Sequence, residues 1–319
     1  MADATIHTPA IAEEPPANLW RDAWTRLKRN KASLASLIII GLLAFTAIFG
    51  PWLTPYDFLS QDLTARNVPP TMAHLLGTDD LGRDVLSRII YGTRTAFIVA
   101  LSVTLIAMVI GTVLGAIAGY FGGLIDNFIM WLTDMTMSVP QILLVVVINA
   151  SLKPPLSKWM EAQYQATFNP FYRNTVLIDF VLVFGTIALV TWPQYARLVR
   201  AQVLGVRSRP YVTAARALGL PPSLIIRRYI IPNALGPLIV AVSAGLGTAM
   251  VLESAFSFLG VGVSPPTPSW GAMISDGLRV WRNYPHLLIS PALMLAVATV
   301  AFSFLGDGLN DALNPKGQK

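Results

Sequence analysis

Residues 95–125 read TAFIVALSVTLIAMVIGTVLGAIAGYFGGLI, a run without a single charged side chain. A helix that crosses the hydrocarbon core of a bilayer needs about 20 apolar residues, so this run is long enough for one span. Gly111, Gly115 and Gly119 are spaced by four and therefore share one helix face. Small residues at this spacing favour close packing against a neighbouring helix, in this chain or in a partner subunit. The pair Gly122-Gly123 predicts a turn after the span.

Five further apolar runs are each long enough to cross a bilayer. They lie at 32–56, 127–152, 176–196, 229–252 and 283–306. Only 13% of the 319 residues are charged and the mean hydropathy is +0.57, which excludes an ordinary soluble enzyme. The sequence therefore predicts an all-α, polytopic membrane protein with six transmembrane helices.

The net charge of +6 comes from basic residues that lie between the apolar runs. Lys and Arg are most concentrated before the first span and between the fourth and fifth, which predicts that both termini are cytoplasmic. The basic residues do not alternate with aromatic residues along a stripe, so we expect no nucleic-acid partner. The absence of cysteine excludes disulfides, thiolate metal sites and cysteine nucleophiles.

The runs divide the chain into four segments. A cytoplasmic tail covers 1–31, the first span and an outer loop cover 32–94, a core domain covers 95–306, and a second cytoplasmic tail covers 307–319. Within the outer loop, residues 77–90 predict a short amphipathic helix at the membrane surface, with Asp79–Arg83 and Asp84–Arg88 as i,i+4 ion pairs. Residues 151–175 predict an aromatic-rich outer loop, either an interfacial belt or a partner contact.

Motifs for catalysis are missing from the sequence. It contains no phosphate-binding G-x-x-x-x-G-K-[ST], no G-x-S-x-G and no H-E-x-x-H. Ionisable side chains within the spans are limited to Asp134, with Asp179 and Glu253 near span ends, whereas a proton-driven pump normally carries several. We therefore expect no catalytic residue and no metal site, and a substrate moved by shape changes that something else drives.

Three residues are candidates for the translocation path or a gate. Asp134 shares a helix face with Asp126, eight residues earlier, and either lines the path or makes an interhelical contact. Pro140 predicts a kink in the same span. Glu253 ends the fifth span and either serves an outer gate or makes a local contact, for which Arg279 or Arg282 would supply the charge.

The predicted inner loop, residues 197–228, carries the most specific pattern. Its centre reads Tyr211-Val-Thr-Ala-Ala-Arg-Ala-Leu-Gly-Leu-Pro-Pro222. A short helix over 211–218 would stop at Gly219, because glycine tolerates the left-handed conformation of a helix end. Pro221 and Pro222 then force a turn, and a second helix from Ser223 leads into the fifth span. The pattern predicts a helix–turn–helix that protrudes from the membrane.

This loop resembles the EAA loop of permeases from binding-protein-dependent ABC importers. The matching residues are Thr213-Ala214-Ala215-x-x-x-Gly219, with Pro232 thirteen residues after the glycine, and Thr213 stands where the family has Glu. Other blocks are similar to the C-type permease of the dipeptide, oligopeptide and nickel branch. They begin at His74, Ala118, Glu253 and Leu305, so the resemblance covers about residues 20–315.

The resemblance implies the transmembrane domain of a type I ABC importer in a bacterial or archaeal inner membrane. The partners would be a second homologous permease, two P-loop ATPases that bind ATP and Mg, an extracytoplasmic substrate-binding protein, and membrane lipid; this chain itself would hold no cofactor. The cargo would be a peptide, with nickel or an oligosaccharide as alternatives, and a self-sufficient secondary transporter is a second class. The residues implied in ATPase coupling are Thr213, Ala214, Ala215, Arg216, Leu218, Gly219 and Pro232.

Overall fold

The computed structural model describes residues 19–173 and 175–313, and the regular elements within these ranges are helices. Side chains at 19–22, 173, 175–177 and 179 lie outside the description. A 3₁₀ turn covers Pro170–Arg173, and a π-helical turn covers Ile226–Ile230. The α-helices are α1 (Leu19–Arg29), α2 (Lys31–Leu53), α3 (Val85–Phe121), α4 (Gly123–Ser138), α5 (Gln141–Thr167), α6 (Thr175–Val206), α7 (Pro210–Ala217), α8 (Pro222–Ile225), α9 (Ile231–Phe258), α10 (Trp270–Val280) and α11 (Pro285–Leu313).

Within the described residues, five helical segments are long and apolar enough to cross a membrane. They are α2, α3, α5, the continuous stretch Pro222–Phe258, and α11. The predicted span at 176–196 falls within α6, a helix of 32 residues. The described side chains of its first turns do not include position 179. The all-α membrane architecture is therefore confirmed.

The predicted third span, 127–152, is wrong in its boundaries. Two helices replace it: α4 ends at Ser138, and α5 begins at Gln141 with Pro140 as its N-cap residue. The proline therefore separates two helices instead of kinking one. Because α5 continues to Thr167, most of the predicted 151–175 loop is helix.

The predicted amphipathic helix over 77–90 is not a separate element. α3 begins at Val85, and the Asp84 carboxylate accepts a hydrogen bond of 2.8 Å from Ser87 N, as an N-cap should. The predicted pair Asp79–Arg83 is present at 2.7 Å. The other pair is wrong, since Asp84 contacts His74 Nδ1 at 2.9 Å and Arg88 contacts Asp79 at 3.5 Å.

Helices extend into both predicted tails. α11 runs to Leu313, beyond the predicted end of the last span at 306. α1 packs against this extension through Ala23, Leu27 and Ala312. Residues 1–18 and 314–319 lie outside the described residues.

The main hydrophobic core joins the long helices along their length. One cluster brings together Val99 and Val103 of α3, Ile187 of α6, Met250 of α9 and Phe302 of α11. α9 and α11 run antiparallel, so the helices alternate between two ends of the molecule. We call the end with Gly122 and α7 the loop end, and the end with residues 54–84 and α10 the opposite end.

The three spaced glycines of α3 face α6. A Cβ atom at Gly111 would lie 2.7 Å from Trp192 O, and one at Gly119 would lie 2.7 Å from Val203 Cβ. At Gly115 an added Cβ would overlap the backbone of Ala196. The two helix backbones therefore approach at distances that only glycine permits.

We expect Gly115→Val to destabilise the folded protein by about 1–3 kcal/mol, because the new side chain must push α6 away from α3. Thermal unfolding of the purified protein in detergent measures this. Gly41→Val is the matched control, since a Cβ at Gly41 of α2 meets nothing within 4 Å. Equal stability of the two variants would contradict the close α3–α6 contact.

Candidate functional site

The connection between α6 and α9 lies at the loop end and has the predicted order of a short helix, a turn and a second helix. α6 ends at Val206, so Arg197 and Arg200 belong to the helix and not to a loop beginning at residue 197. α7 begins with Pro210 at its first turn, where a missing N–H costs no hydrogen bond. α8 begins at Pro222, one residue before the expected Ser223, again with proline in the first turn.

Gly219 closes α7 through two backbone hydrogen bonds. Gly219 N donates to Arg216 O at 3.0 Å, and Leu220 N donates to Ala215 O at 3.2 Å, the pair of bonds of a Schellman motif. The glycine has φ +76°, in the left-handed region that a residue with a Cβ enters only at a cost. The sharp reversal between α7 and α8 therefore depends on glycine at this position.

α7 presents two different faces. Val212 and Ala215 are buried against Ile225, Ile230 and Val203. The predicted coupling residue Ala215 therefore packs within this chain. The exposed face carries Thr213, Ala214, Arg216, Ala217, Leu218 and Gly219.

Two arginines join this connection to the end of α3. The Arg216 guanidinium lies over the Tyr120 ring, 5.3 Å from its centroid, a cation–π geometry. Arg207 Nη1 donates a hydrogen bond of 3.1 Å to Gly119 O. The position of α7 is consequently tied to α3 as well as to α6.

Thr213 and Pro232 have local roles in the backbone. The Thr213 hydroxyl donates to Arg209 O at 3.3 Å, within its own helix. Pro232 lies in the first turn of α9, directly after the π-helical turn Ile226–Ile230. A π-helical turn inserts one extra residue in a helix and is often found at functional sites.

Two acids of α4 pair with two arginines of α6 near the loop end. Arg200 donates hydrogen bonds to both Asp126 oxygens, from Nε to Oδ1 and from Nη2 to Oδ2, the second at 2.6 Å. Arg197 pairs with Asp134. The Asp134 contact is thus interhelical and within this chain, and both of its partners are partly exposed.

Glu253 is completely buried near the end of α9. Its Oε1 accepts hydrogen bonds from Ser257 Oγ at 2.7 Å and Ser269 Oγ at 2.8 Å, and Ser254 Oγ lies 3.4 Å from Oε2. The local contacts of this carboxylate are therefore with serine hydroxyls and not with Arg279 or Arg282. These bonds fix the end of α9 to the segment that leads into α10.

A small cavity of about 90 Å³ with charged and apolar walls lies at the opposite end, between residues 67–88 and α10. Asp80, Arg88, Asp276 and Arg279 line it together with apolar side chains. Burial raises the pKa of the Asp276 carboxyl above its usual range, and the nearby Asp80 carboxylate raises it further. The arginines act in the opposite direction, so the cavity carries mixed charge.

Sequence reasoning left an interhelical contact open for Asp134 but missed its partner Arg197 and the pair Asp126–Arg200, although the signal was present. Asp126 and Asp134 share one face of α4, and Arg197 and Arg200 are three residues apart on α6. The arginines were assigned to a loop because their charge marked the end of an apolar run. A second missed contact is the hydrogen bond of 3.2 Å from Trp270 Nε1 to Ile89 O, which ties α10 to α3.

Two family models match the chain. Residues 111–319 match the model for the binding-protein-dependent transport system inner membrane component. Residues 18–70 match the model for the N-terminal transmembrane domain of oligopeptide transport permease C. Together they cover the first span and the whole region from the glycine face of α3 to the C-terminus.

Curated relatives are similar along nearly the whole chain. The dipeptide transport system permease protein DppC of Escherichia coli strain K12 is 38% identical over 312 residues, 96% of each chain. The Bacillus subtilis DppC protein is 36% identical over 95% of this chain and 88% of its own length. The oligopeptide transport system permease protein OppC of the same organism is 34% identical over 95% and 91%.

A solved structure has the same fold. An inward-facing form of the MetNI methionine ABC transporter superposes with a TM-score of 0.54, covering 71% of this chain and 96% of that one. The sequences are 17% identical, so the likeness concerns the fold of a type I importer transmembrane domain.

We expect Asp126→Asn to destabilise the protein by about 1–3 kcal/mol, because the Arg200 guanidinium loses its charged partner in a partly buried position. Asp134→Asn makes the same chemical change in the exposed pair on the same two helices and should cost less than about 1 kcal/mol. Thermal unfolding in detergent compares the two variants. A larger loss from Asp134→Asn would contradict the assignment of the Asp126 pair as the stronger contact.

Proposed function

Because this chain belongs to the family of binding-protein-dependent transport permeases, and is a permease subunit of an ABC importer, we propose that its cargo is a short peptide. The observation that carries the proposal is the similarity, at 34–38% identity over nearly the whole chain, to proteins named as dipeptide and oligopeptide permeases. Dipeptides are the first candidate, since several of those relatives are dipeptide permeases.

The chain would supply half of a translocation path, with a second homologous permease supplying the other half. Two P-loop ATPases would hold ATP and Mg at the loop end, and a substrate-binding protein would deliver peptide at the opposite end. We place both termini and α7 in the cytoplasm of a bacterial cell, as the distribution of Lys and Arg suggests. The opposite end then faces outward.

The exposed face of α7 is the proposed contact with an ATPase. Ala214 is small and exposed, so a partner surface can approach the helix backbone closely. Leu218 is 80% exposed at the tip of the loop, where an apolar side chain gains free energy by entering a groove. Arg216 would act from within the chain, since its guanidinium lies over Tyr120.

Movement of α7 would be transmitted to the membrane helices by contacts described above. Val212 and Ala215 pack into a cluster with α6 and α8, and Arg216 and Arg207 reach the end of α3. Because α6 is in close contact with the glycines of α3, the two helices would move as one body. ATP binding would bias this body between inward- and outward-open states, as alternating access requires.

The candidate path and gate residues have different proposed roles. Asp134 lies on an exposed surface with Arg197, so this ion pair is available to line a path shared with the second permease. Pro140 divides α4 from α5 and would let the two helices move separately. Glu253 is inaccessible and would hold α10 in place rather than meet cargo.

The function is tested by purifying the chain from its native membrane in mild detergent and reconstituting the recovered complex in liposomes. We expect a second permease and P-loop ATPases to co-purify, and ATP-dependent uptake of a radiolabelled dipeptide once the cognate binding protein is added. Recovery of the chain without an ATPase would overturn the subunit assignment. Uptake of nickel or an oligosaccharide, but not of peptides, would overturn the cargo alone.

We expect Gly219→Val to reduce dipeptide uptake per ATP hydrolysed about tenfold, because holding valine at φ +76° costs about 1–2 kcal/mol and reshapes the tip of the loop. Parallel assays of uptake and ATP hydrolysis measure the coupling. Gly205→Val is the control, since Gly205 lies in α6, has an ordinary φ and has open space around a new Cβ. Wild-type coupling in the Gly219 variant would contradict the role of the loop.

A further inference from the structure

An apolar groove lies on the outer surface of the helix bundle, between α2, α3, α9 and α11. Its volume is about 710 Å³, and its walls are almost entirely aliphatic and aromatic. Nothing in the proposed transport cycle uses it. Its lining residues include Ile40, Ala44, Ile48 and Trp52 of α2, Arg94, Phe97 and Leu101 of α3, Met250 of α9, and Phe302 of α11.

The α2 wall of the groove has the length of one membrane leaflet. Ile40, Ala44, Ile48 and Trp52 are spaced by four, so they form one continuous stripe. Twelve residues at 1.5 Å per residue make this stripe about 18 Å long. Half of a hydrocarbon core is about 15 Å thick, so the groove extends from one interface to roughly the centre of the bilayer. Trp52, 77% exposed, marks the interfacial end.

Arg94 is the one charged residue that lines the groove. Among residues 19–173 and 175–313 it has no ion pair, and no acidic residue lines the same walls. A Cβ atom at Gly50 would meet the Ile90 side chain, so Gly50 of α2 and Ile90 of α3 lie at the same level. Four residues further along α3 and four residues back along α2, Arg94 lies near the level of residue 46. This level is about 9 Å inward from Trp52. Helical side chains lean toward the N-terminus of their helix, so the guanidinium extends back toward the interface.

We propose that this groove is a binding site for an anionic phospholipid, with the lipid phosphate on Arg94 and one acyl chain along the α2 stripe. An unpaired cation next to hydrocarbon needs a counter-charge, and a phosphate at the interface supplies one with bidentate hydrogen bonds. The aliphatic walls below Arg94 match an acyl chain in length and polarity. In the proposed orientation the lipid belongs to the outer leaflet.

The test uses the purified complex. It is delipidated with detergent and then reloaded with either phosphatidylglycerol or phosphatidylcholine. Native mass spectrometry counts the lipids retained. We expect Arg94→Gln to weaken phosphatidylglycerol retention about fivefold, the factor for about 1 kcal/mol of interfacial charge, and to leave phosphatidylcholine unchanged. Arg282 is a second basic residue toward the same end but outside the groove. Arg282→Gln should therefore change the retention of neither lipid.

A pair of tryptophan variants tests the acyl-chain part of the site. Ala44→Trp fills the groove and should abolish the retained lipid, whereas Leu42→Trp, on the same helix and 63% exposed outside the groove, should not. Equal retention of both lipids in wild type and Arg94→Gln would overturn the site. The groove would instead be a protein interface, and the lipid site would be overturned, if the wild-type complex held no lipid and the Ala44→Trp complex lost the second permease. The lipid count requires no peptide uptake, so it stands apart from the cargo proposal.

Discussion

The backbone contact between α3 and α6 is the constraint on which the other parts of the structure depend. Inside a bilayer, an apolar side chain gains little by leaving lipid for protein, so helices associate through close packing and polar contacts. Gly111, Gly115 and Gly119 allow that packing against the part of α6 from Trp192 to Val203. At the loop end, the ion pair Asp126–Arg200 joins α4 to α6, and the hydrogen bond from Arg207, the residue after α6, to Gly119 O joins the end of α6 to α3.

Polar contacts elsewhere in the molecule fix the ends of the helices. At the opposite end, the serine hydroxyls around Glu253 and the Trp270–Ile89 hydrogen bond hold α10 against α9 and α3. At the loop end, the Schellman motif at Gly219 and the Arg216–Tyr120 contact position α7. Most of these contacts lie where the chain changes direction, whereas the Asn149–Thr186 hydrogen bond of 3.3 Å joins α5 to α6 within the helices. Separate sets of polar contacts therefore fix the two ends of the bundle.

The sequence predicted the parts of the fold that depend on local chemistry. Uncharged runs located the long helices. One glycine and two prolines located the turn after α7, because the φ preference of glycine and the missing N–H of proline act within a few residues. The boundaries that depend on distant contacts were wrong. α5 continues through the predicted 151–175 loop, and Asp84 pairs with His74 instead of Arg88, since such pairings are decided by tertiary packing. At the candidate site, the sequence did not show which face of α7 is buried, because this depends on the residues of other helices that cover Ala215.

The pairing of α1 and α2 with α11 has a consequence for the order in which the chain is made. Leu43 of α2 shares a core cluster with Phe302, and α1 packs on Ala312 at the far end of the sequence. Ser33 sits so close to Gly308 that a side chain there would displace it. α1 and α2 are made before α11 and therefore find part of their packing surface only when α11 has been inserted. Until then their buried faces have no partner from this part of the chain, so the packing of α1 and α2 is completed late relative to their own synthesis.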